Sequence, residues 1–236
     1  MMSGSRSRRV IVVVVAAATV AATCIGLGIW QLRRLDERRS LNDRIHARQA
    51  VNPVVIEGAS TASAVVPYRR ADARGTYDVD REVLVYGRSL DGEAGHHVVT
   101  PLVLADGGAI LVVRGWVPFA MQTAPVRGAE PPATDVRVSG SLAPDEGDGT
   151  TVPDADRIVP TLDVMGIAST LPYEVFPLPL RLTAQVPRQP GSLPTPVPPP
   201  ELSEGPHLSY ALQWFSFAAV SLAGAAILLR RHRAPG

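Results

Sequence analysis

The five histidines are the side chains in this sequence best suited to bind a metal or to move a proton near neutral pH. His96 and His97 are adjacent in a segment with strand composition, so their side chains point to opposite faces and do not share one metal ion. His46 lies among charged residues and His232 in a basic tail, and both positions indicate imidazoles in contact with water. His207 differs from these because it stands directly before a long apolar stretch.

His207 has two interpretations. A neutral imidazole at the mouth of an apolar helix can coordinate a haem iron while the macrocycle lies against apolar helix faces. The alternative is an interface histidine whose ring binds water or lipid headgroups. The position of His207 in the sequence leaves both interpretations open.

Other residue patterns that carry chemistry are missing from the sequence. It contains no serine elbow, no zinc-protease helix motif and no phosphate-binding glycine loop. The acidic residues between Asp145 and Asp156 lack the spacing of a calcium loop, and Cys24, the single cysteine, is a small apolar packing residue. With 23 basic and 22 acidic residues, the chain has no excess charge to neutralise nucleic-acid phosphates. The sequence therefore predicts neither an enzyme nor a nucleic-acid-binding protein.

Two long apolar stretches, Val10–Trp30 and Tyr210–Leu229, lie near the chain ends. Each approaches the roughly 20 helical residues that cross a hydrocarbon core. The sequence predicts a membrane protein in which two transmembrane helices flank an extracytoplasmic β-rich domain, of the α+β type with a mainly antiparallel sheet. The predicted segments are a cytoplasmic N-terminus (1–9), a transmembrane helix (10–30), an amphipathic stalk (31–52), the β-rich domain (53–186), a proline-rich linker (187–206), a second transmembrane helix (207–229) and a cytoplasmic tail (230–236).

The flanks of the apolar stretches indicate their orientation. Three arginines lie within residues 6–9 and three within residues 230–233, and basic flanks are retained in the cytoplasm. Both termini are therefore predicted to be cytoplasmic, in a bacterial plasma membrane, and Trp30, Tyr210 and Trp214 then lie at the outer interface that aromatic rings prefer. A cleaved export or lipoprotein signal is the alternative for the first stretch, but its length favours a retained anchor.

The region between the apolar stretches has the β-branched and aromatic content of strands. Strands are predicted around residue 77 and at residues 83–85, 97–104, 109–117 and 135–142. Asp91-Gly92 and Asp106-Gly107-Gly108 predict chain reversals, so neighbouring strands should form an antiparallel meander. Thr100-Pro101 predicts an edge or a bulge within its strand, because proline has no N–H to donate.

The C-terminal part of this region predicts one helix and one more strand. Thr161 is the expected cap of a short helix that ends near Ser169. Residues 173–186 are expected to form a late strand, which Pro177 and Pro179 would place at a sheet edge. The proline-rich residues 187–206 are expected to run extended as a semi-rigid spacer.

Short motifs in the order and approximate spacing of one known family run along most of the chain. They are Gly28-Ile29-Trp30-Gln31-Leu32-Arg33-Arg34, Pro67-Tyr68-Arg69-Arg70, Gly75-Thr76-Tyr77-Asp78, Arg88, Gly95, Val99-Thr100-Pro101-Leu102, Asp106-Gly107, Arg114-Gly115-Trp116-Val117-Pro118 and Pro206-His207-Leu208-Ser209-Tyr210-Ala211-Leu212-Gln213-Trp214-Phe215. In these residues the chain resembles the surfeit locus protein 1 family, membrane proteins that assist the assembly of cytochrome c oxidase.

The resemblance implies a chaperone-like part in making a haem-copper oxidase, in which haem a is bound or handed to the catalytic subunit. It makes His207 the candidate haem a ligand, and the further candidate cofactor contacts are Trp30, Tyr210, Trp214, Arg34 and Arg114. The implied partners are the core subunits of the oxidase, especially the haem-bearing subunit I, with haem a synthase as a further candidate, and the lipid bilayer.

Alternatives remain open for these roles. Arg34 and Arg114 can bind haem propionates or carboxylates of a partner, but each can equally form an internal salt bridge or contact a lipid headgroup. Gly115 is expected to relieve crowding beside Trp116. The alternative function for the whole chain is a structural membrane subunit that associates with a respiratory complex and binds no haem.

Overall fold

The computed structural model describes residues 3–59 and 66–233. Within these residues the chain forms two compact units, a helical unit of residues 3–44 and 201–233 and a β-rich unit of residues 45–200. The predicted tails at residues 1–9 and 230–236 lie partly outside the described residues, as does the side chain of His232.

The order of elements along the chain matches most of the sequence prediction. A short 3₁₀ helix at Val79–Arg81 separates two of the strands. The other elements are α1 (Ser3–Ala50), β1 (Val54–Ile56), β2 (Arg70–Tyr77), β3 (Val83–Leu90), β4 (Glu93–Leu104), β5 (Ala109–Pro118), β6 (Val136–Leu142), β7 (Ile158–Val159), α2 (Val164–Ala168), β8 (Leu180–Val186) and α3 (His207–Arg233).

The helical unit contains α3 and most of α1. Each helix has a stretch that is long and apolar enough to cross a membrane, and most of that apolar surface is exposed. The prediction of two long apolar helices at the ends of the chain is therefore confirmed. α1 continues without interruption from its apolar stretch through the predicted stalk and ends at Ala50, before Pro53, as predicted.

Small side chains on one face of α1 let α3 pack closely against it. A Cβ atom at Gly28 would lie 2.6 Å from the ring of Phe215, so only glycine fits there. Ala21, Cys24 and Ala218 form a buried cluster below this contact. The two long helices thus pack as a pair, and Cys24 is a packing residue, as predicted.

The β-rich unit is built around a closed barrel of five strands. Their order is β2, β6, β8, β5 and β4, and β4 closes the ring by pairing with β2. Most pairs are antiparallel, and only β5 and β8 run parallel within the ring. The predicted antiparallel meander of β3, β4 and β5 is confirmed, and its turns use positive φ angles at Asp91, Gly92 and Gly107.

Only the last part of β4 closes the barrel. Its first half pairs with β3, and its last residues, from Leu102 to Leu104, pair with β2 instead. Pro101 lies at this change of partner, and the register of β4 against β5 shifts between Val98 and Val99. The strand therefore has an irregularity where Thr100-Pro101 predicted one, because a residue without an N–H fits where the ladder is interrupted.

Two hydrophobic clusters lie on opposite faces of the sheet. The barrel interior holds side chains such as Tyr77, Leu102 and Phe176. The outer cluster contains Val85, Val99 and Val113 together with residues of α2, which covers this face. Residues of the two clusters alternate along β4 and β5, so one set of side chains points into the barrel and the other points toward α2.

Two local predictions for the later part of the chain were wrong. The helix α2 is capped by Asp163, whose carboxylate accepts a hydrogen bond from Gly166 N, and not by Thr161. The late strand begins only at Leu180, after both prolines, and lies between β5 and β6 rather than at an edge. Because Pro177 and Pro179 precede the strand, they leave both of its ladders intact.

Residues 187–200 are part of the β-rich unit and do not form a free spacer. The backbone of Thr195 exchanges two hydrogen bonds with Trp116, at 2.7 and 2.8 Å. Gly115 allows this approach, because a Cβ there would lie 2.5 Å from the Thr195 carbonyl oxygen. The glycine that makes room for the Trp116 ring is instead Gly95, where a Cβ would lie 2.5 Å from the indole.

Asp163 holds α2 and the loop before it together. Its carboxylate is fully buried and accepts hydrogen bonds from the backbone N–H groups of Gly149, Thr151 and Gly166. Burial by itself raises the pKa of this carboxyl group, but the backbone donors outweigh burial and leave the pKa below its ordinary value.

We expect Asp163→Ala to lower the free energy of unfolding by about 2 kcal/mol, because a helix cap and two loop donors lose their acceptor. Since the folded-state pKa is lower than the unfolded value of about 3.9, the contribution is complete above that value and is lost as the pH falls through the folded-state pKa. Urea unfolding followed by circular dichroism at falling pH should show a flatter acid limb for the variant. Asp156→Ala, in the same loop and exposed, is the control, and an equal effect of both substitutions would contradict the assignment.

Candidate functional site

His207 is the first residue of α3 and contacts α1 within the helical unit. Its Nδ1 atom lies 2.8 Å from the side-chain oxygen Oε1 of Gln31. In this pairing Nδ1 carries the proton and donates to the amide oxygen, which leaves the lone pair on Nε2. A glycine lies beside that atom: a Cβ at Gly205 would be 3.6 Å from Nε2. The contact with Gln31 therefore orients the ring, and the lone pair of Nε2 is the one that can coordinate a metal ion.

A cavity of about 340 Å³ opens beside His207. Its lining combines the imidazole with two arginines, a glutamate and a leucine of α1: Arg34, Glu37, Arg38 and Leu41. Arg34 donates to Glu37 at 2.8 Å, and both side chains are more than half exposed. Because one carboxylate faces two guanidinium groups, the cavity carries a net positive charge beside the imidazole of His207.

The segment before α3 is tied to α1, which fixes the place of His207. Arg39 donates two hydrogen bonds to the carboxylate of Glu204, at 2.9 and 2.8 Å. Asn42 donates from its amide to the carbonyl of Leu202 at 2.8 Å. An exposed ion pair contributes little energy by itself, but the bidentate geometry defines the register of the two chain segments.

The three aromatic candidates occupy different environments. Trp30 is half exposed, and the guanidinium carbon of Arg34 lies 6.0 Å from the centre of its ring. Tyr210 is also about half exposed, one turn along α3 from His207. Trp214 packs against the Ala21–Cys24–Ala218 cluster and edge-on to Phe217, with ring centres 5.9 Å apart. The structure thus brings Arg34 to the cavity and Trp30 next to it, while Trp214 serves the packing of the helix pair.

A family model described as the SURF1 family matches residues 18–219 of the chain. A SURF1-like protein of Monosiga brevicollis is 30% identical over 227 residues, which cover 90% of this chain and 86% of that protein. A SURF1-like protein of Rickettsia felis is 25% identical over 217 residues, covering 88% and 92%. Surfeit locus protein 1 of Mus musculus is 31% identical over 114 residues, covering 42% and 37%. The chain belongs to the SURF1 family. The matched range includes Gln31, the cavity and His207.

Arg114 does not share a site with His207 in this SURF1 family protein. Its side chain is fully buried in the β-rich unit, where it donates to the equally buried carboxylate of Glu82 at 2.9 Å. It also donates to the carbonyl of Ala129 and to the side chain of Gln189. The alternative of an internal salt bridge is therefore the one that the structure supports. A contact between Arg114 and a haem propionate does not fit this burial.

The residues around His207 fit the requirements of a haem. The imidazole is held from Nδ1, and a hydrogen bond to that nitrogen is the usual way in which proteins orient a ligating histidine. Arg34 and Arg38 supply the cations that propionates need. The cavity has a volume at the low end of ligand pockets, so a macrocycle also needs the exposed apolar surface that Trp30 and Leu208 provide.

Sequence reasoning missed several residues of this site. Gln31, Arg38 and Glu204 were not assigned roles, although Gln31 stands inside the Trp30-Gln31 motif that carries the family resemblance. A polar amide directly after a tryptophan at the end of an apolar stretch was the available signal. Glu204 had no such signal, because its role depends on the register between two segments 165 residues apart.

Proposed function

We propose that this protein is an assembly factor for a haem-copper cytochrome c oxidase, and that it assists the insertion of haem a into the catalytic subunit or stabilises that subunit. Membership of the SURF1 family supports this proposal, because the motifs of the chain resemble those of oxidase assembly proteins. Two long helices with exposed apolar surfaces are compatible with a membrane protein. The proposal places the protein in a bacterial plasma membrane with both termini in the cytoplasm and the β-rich unit outside.

One observation carries the haem part of the proposal: the Nδ1 atom of His207 is paired with Gln31, beside a cavity lined by arginines. Haem, when bound, supplies an iron that an imidazole nitrogen can coordinate. His207 would offer Nε2, and Gln31 would hold the proton on Nδ1 and the ring in place. Arg34 and Arg38 would bind carboxylates at the edge of the site. Half-exposed residues suit a transient carrier, because a ligand bound at an open surface can be passed to a partner.

The proposed partners follow from this role. Subunit I of the oxidase would receive haem a, and haem a synthase is the enzyme from which the protein would take it. The exposed apolar faces of α1 and α3 could contact transmembrane helices of either partner as well as lipid. Packing between membrane helices uses small residues and van der Waals contact, and α1 shows that pattern already against α3.

A second candidate function is a scaffold that binds the oxidase subunits without haem. The extensive packing of the β-rich unit favours it, because a closed barrel and the buried Arg114–Glu82 pair make a rigid body that needs no cofactor. Both functions predict association with the oxidase. Only the haem-carrying function predicts that the protein needs His207 to bind haem.

The decisive experiment is to coproduce the protein with the haem a biosynthetic enzymes, purify it in detergent and record its visible spectrum. We expect the wild type to carry haem a and His207→Ala to carry at least about tenfold less, because the imidazole that would coordinate the iron is lost. His46→Ala is the matched control, since His46 is an exposed histidine on the same helix as Gln31, and it should keep its haem.

The outcomes separate the two functions. A colourless wild type, or equal haem in wild type and His207→Ala, would remove the haem role and leave the scaffold. Normal amounts of assembled oxidase in a strain without the protein would contradict the assembly role itself. Equal haem loss in His46→Ala would show that the loss comes from general destabilisation.

The proposed topology has its own test. Protease added to the outer face of intact spheroplasts should degrade the β-rich unit, and it should leave a tag at either terminus intact until the membrane is opened. Protection of the β-rich unit in intact spheroplasts would contradict the proposed orientation.

A further inference from the structure

Two arginines and a histidine lie near one another on the face of the sheet that α2 partly covers. Arg88 on β3 pairs in register with Gly95 on β4, two residues before His97. Arg181 on β8 pairs with Val113 of β5, and Val113 pairs in turn with Val99 of β4. Because residues in register, and residues two apart on one strand, share a face, the side chains of Arg88, His97 and Arg181 all project toward the α2 side of the sheet.

Trp116 fixes the position of Arg88. Its indole Nε1 donates to the backbone carbonyl of Arg88 at 3.2 Å, and the ring lies over Gly95. Trp116 itself is buried. The backbone at Arg88 is therefore held on both sides, by the ladder to β4 and by a buried indole, so its guanidinium extends from a rigid base.

The positive charges of Arg88 and Arg181 outnumber the negative charge that faces them. Glu146 is the carboxylate that faces it, and Glu146 forms an ion pair with Arg88. Arg181 donates no side-chain hydrogen bond to any residue within 3–59 and 66–233. The Nε atoms of Arg88 and Arg181 are both shielded from solvent and have no partner among the same residues. Two guanidinium groups thus share one carboxylate, and a half-buried cation without a hydrogen-bond acceptor costs stability.

His97 adds an uncharged nitrogen to the cluster. Burial, and to a smaller extent the charges of Arg88 and Arg181, lower the pKa of its imidazole to about 4, although the charge of Glu146 raises it. His97 is therefore neutral at physiological pH and has one donor and one acceptor nitrogen. A neutral imidazole between two guanidinium groups can accept a hydrogen bond from a protonated oxygen of an anion that the two arginines bind.

We infer that Arg88, His97 and Arg181 form a binding site for a phosphate-type oxyanion, separate from the His207 cavity and independent of the proposed haem role. Guanidinium groups bind phosphate oxygens in a bidentate manner, and two of them on a rigid sheet surface define a site for a tetrahedral group. Glu146 holds Arg88 while the site is empty, and the anion completes the coordination of Arg181. The phosphate group can belong to a lipid headgroup or to free phosphate.

The test uses the full chain in nanodiscs of zwitterionic lipid, with thermal unfolding followed by circular dichroism. Inorganic phosphate should raise the melting temperature by about 3 to 5 °C over chloride at equal ionic strength, which is the size expected for a ligand at roughly ten times its Kd. A second set of nanodiscs containing phosphatidic acid, in chloride, tests a lipid headgroup as the source. A response to phosphatidic acid alone assigns the site to lipid, and a response to inorganic phosphate assigns it to free phosphate.

Arg181→Gln distinguishes a binding site from a structural arginine. Without phosphate we expect this variant to melt at or above the wild-type temperature, because it removes a half-buried charge that shares the carboxylate of Glu146 with Arg88. We expect phosphate to have no effect on the variant. Arg74→Gln is the matched control, since Arg74 is an exposed arginine on β2, and it should respond to phosphate as the wild type does. If Arg181→Gln fails to fold, Arg181→Lys keeps the charge without bidentate geometry and should lose most of the phosphate response.

The inference is overturned by any of three results. The first is a wild-type melting temperature that neither phosphate nor phosphatidic acid changes relative to chloride. The second is an equal phosphate response in Arg181→Gln. The third is an equal rise with acetate, which would indicate a carboxylate site instead of a phosphate site.

Discussion

Replacing Arg114 by methionine is expected to lower the free energy of unfolding of the β-rich unit by about 3 to 5 kcal/mol. The substitution keeps the length and much of the volume of the side chain, so little of the loss comes from packing. It leaves the carboxylate of Glu82, which is 1% exposed, buried without its cation. An uncompensated buried charge is among the most destabilising defects that a single substitution can produce.

The loss of stability in Arg114→Met should extend beyond the Arg114–Glu82 ion pair. Glu82 also accepts hydrogen bonds from Thr100 Oγ1 and from the backbone N–H of Val126, at 2.8 Å each. Arg114 in turn donates to the carbonyl of Ala129 and to Gln189. The pair therefore joins β4 and β5 to the loop after β5 and to the segment after β8, and this loop should become sensitive to protease in the variant.

Urea unfolding of the detergent-purified protein, followed by circular dichroism, measures the effect of Arg114→Met. Arg74→Met is the control, because Arg74 pairs with Asp135 at the surface, and it should cost less than about 1 kcal/mol. Glu82→Gln combined with Arg114→Met removes both charges but keeps an acceptor for Val126 N, so we expect it to recover a good part of the loss. A loss in Arg114→Met no larger than that in Arg74→Met would contradict the buried ion pair.

Parts of the fold could be predicted from the sequence, but the Arg114–Glu82 ion pair could not. The antiparallel meander of β3, β4 and β5 was predictable because turn residues such as Asp91-Gly92 and Asp106-Gly107 lie between runs of strand composition. The apolar helices were predictable from the length and the apolar composition of their stretches. The partner of Arg114 was not, because Glu82 lies 32 residues away and reaches it only through the register of three strands.

Closure of the barrel was likewise beyond the sequence pattern. It depends on β8, which enters between β5 and β6 and pairs in parallel with Val112 and Val113. Two prolines shortly before this strand indicated an edge, and nothing local shows that the strand begins only after the second proline. Parallel pairing between distant strands carries no turn signature, so only the packing of the whole barrel interior selects it.

Only part of the site at His207 could be predicted, because some of its contacts depend on the register between distant segments. His207 was identified because of its place before an apolar stretch, and Arg34 because of its motif. Gln31 lies 176 residues from His207 in the chain, and the contact exists only because small residues on α1 set the register of α3. Arg114 carried the same type of side chain as Arg34, yet its burial removes it from the site.

If His207 binds haem as proposed, then Gln31 is the residue that positions its ring, and Gln31→Met should lower the affinity for haem a by about 10- to 100-fold. Methionine has nearly the shape of glutamine but accepts no comparable hydrogen bond, so Nδ1 of His207 loses the partner that lies 2.8 Å away. The ring can then rotate, and the proton can move to Nε2, which blocks the lone pair needed for coordination. His207 itself stays in place, so a drop in haem would come from its orientation.

Titration of the purified apoprotein with haem, followed by its visible spectrum, measures this affinity. Gln213→Met, an exposed glutamine on α3, is the matched control and should bind as the wild type does. Gln31→Glu restores an acceptor for the Nδ1 proton and should rescue binding. Because its carboxylate makes the imidazole a stronger donor, it should also lower the reduction potential of the bound haem. If Gln31→Met binds haem as tightly as the wild type, or if Gln31→Glu binds no better than Gln31→Met, the ring of His207 is held by something other than this hydrogen bond.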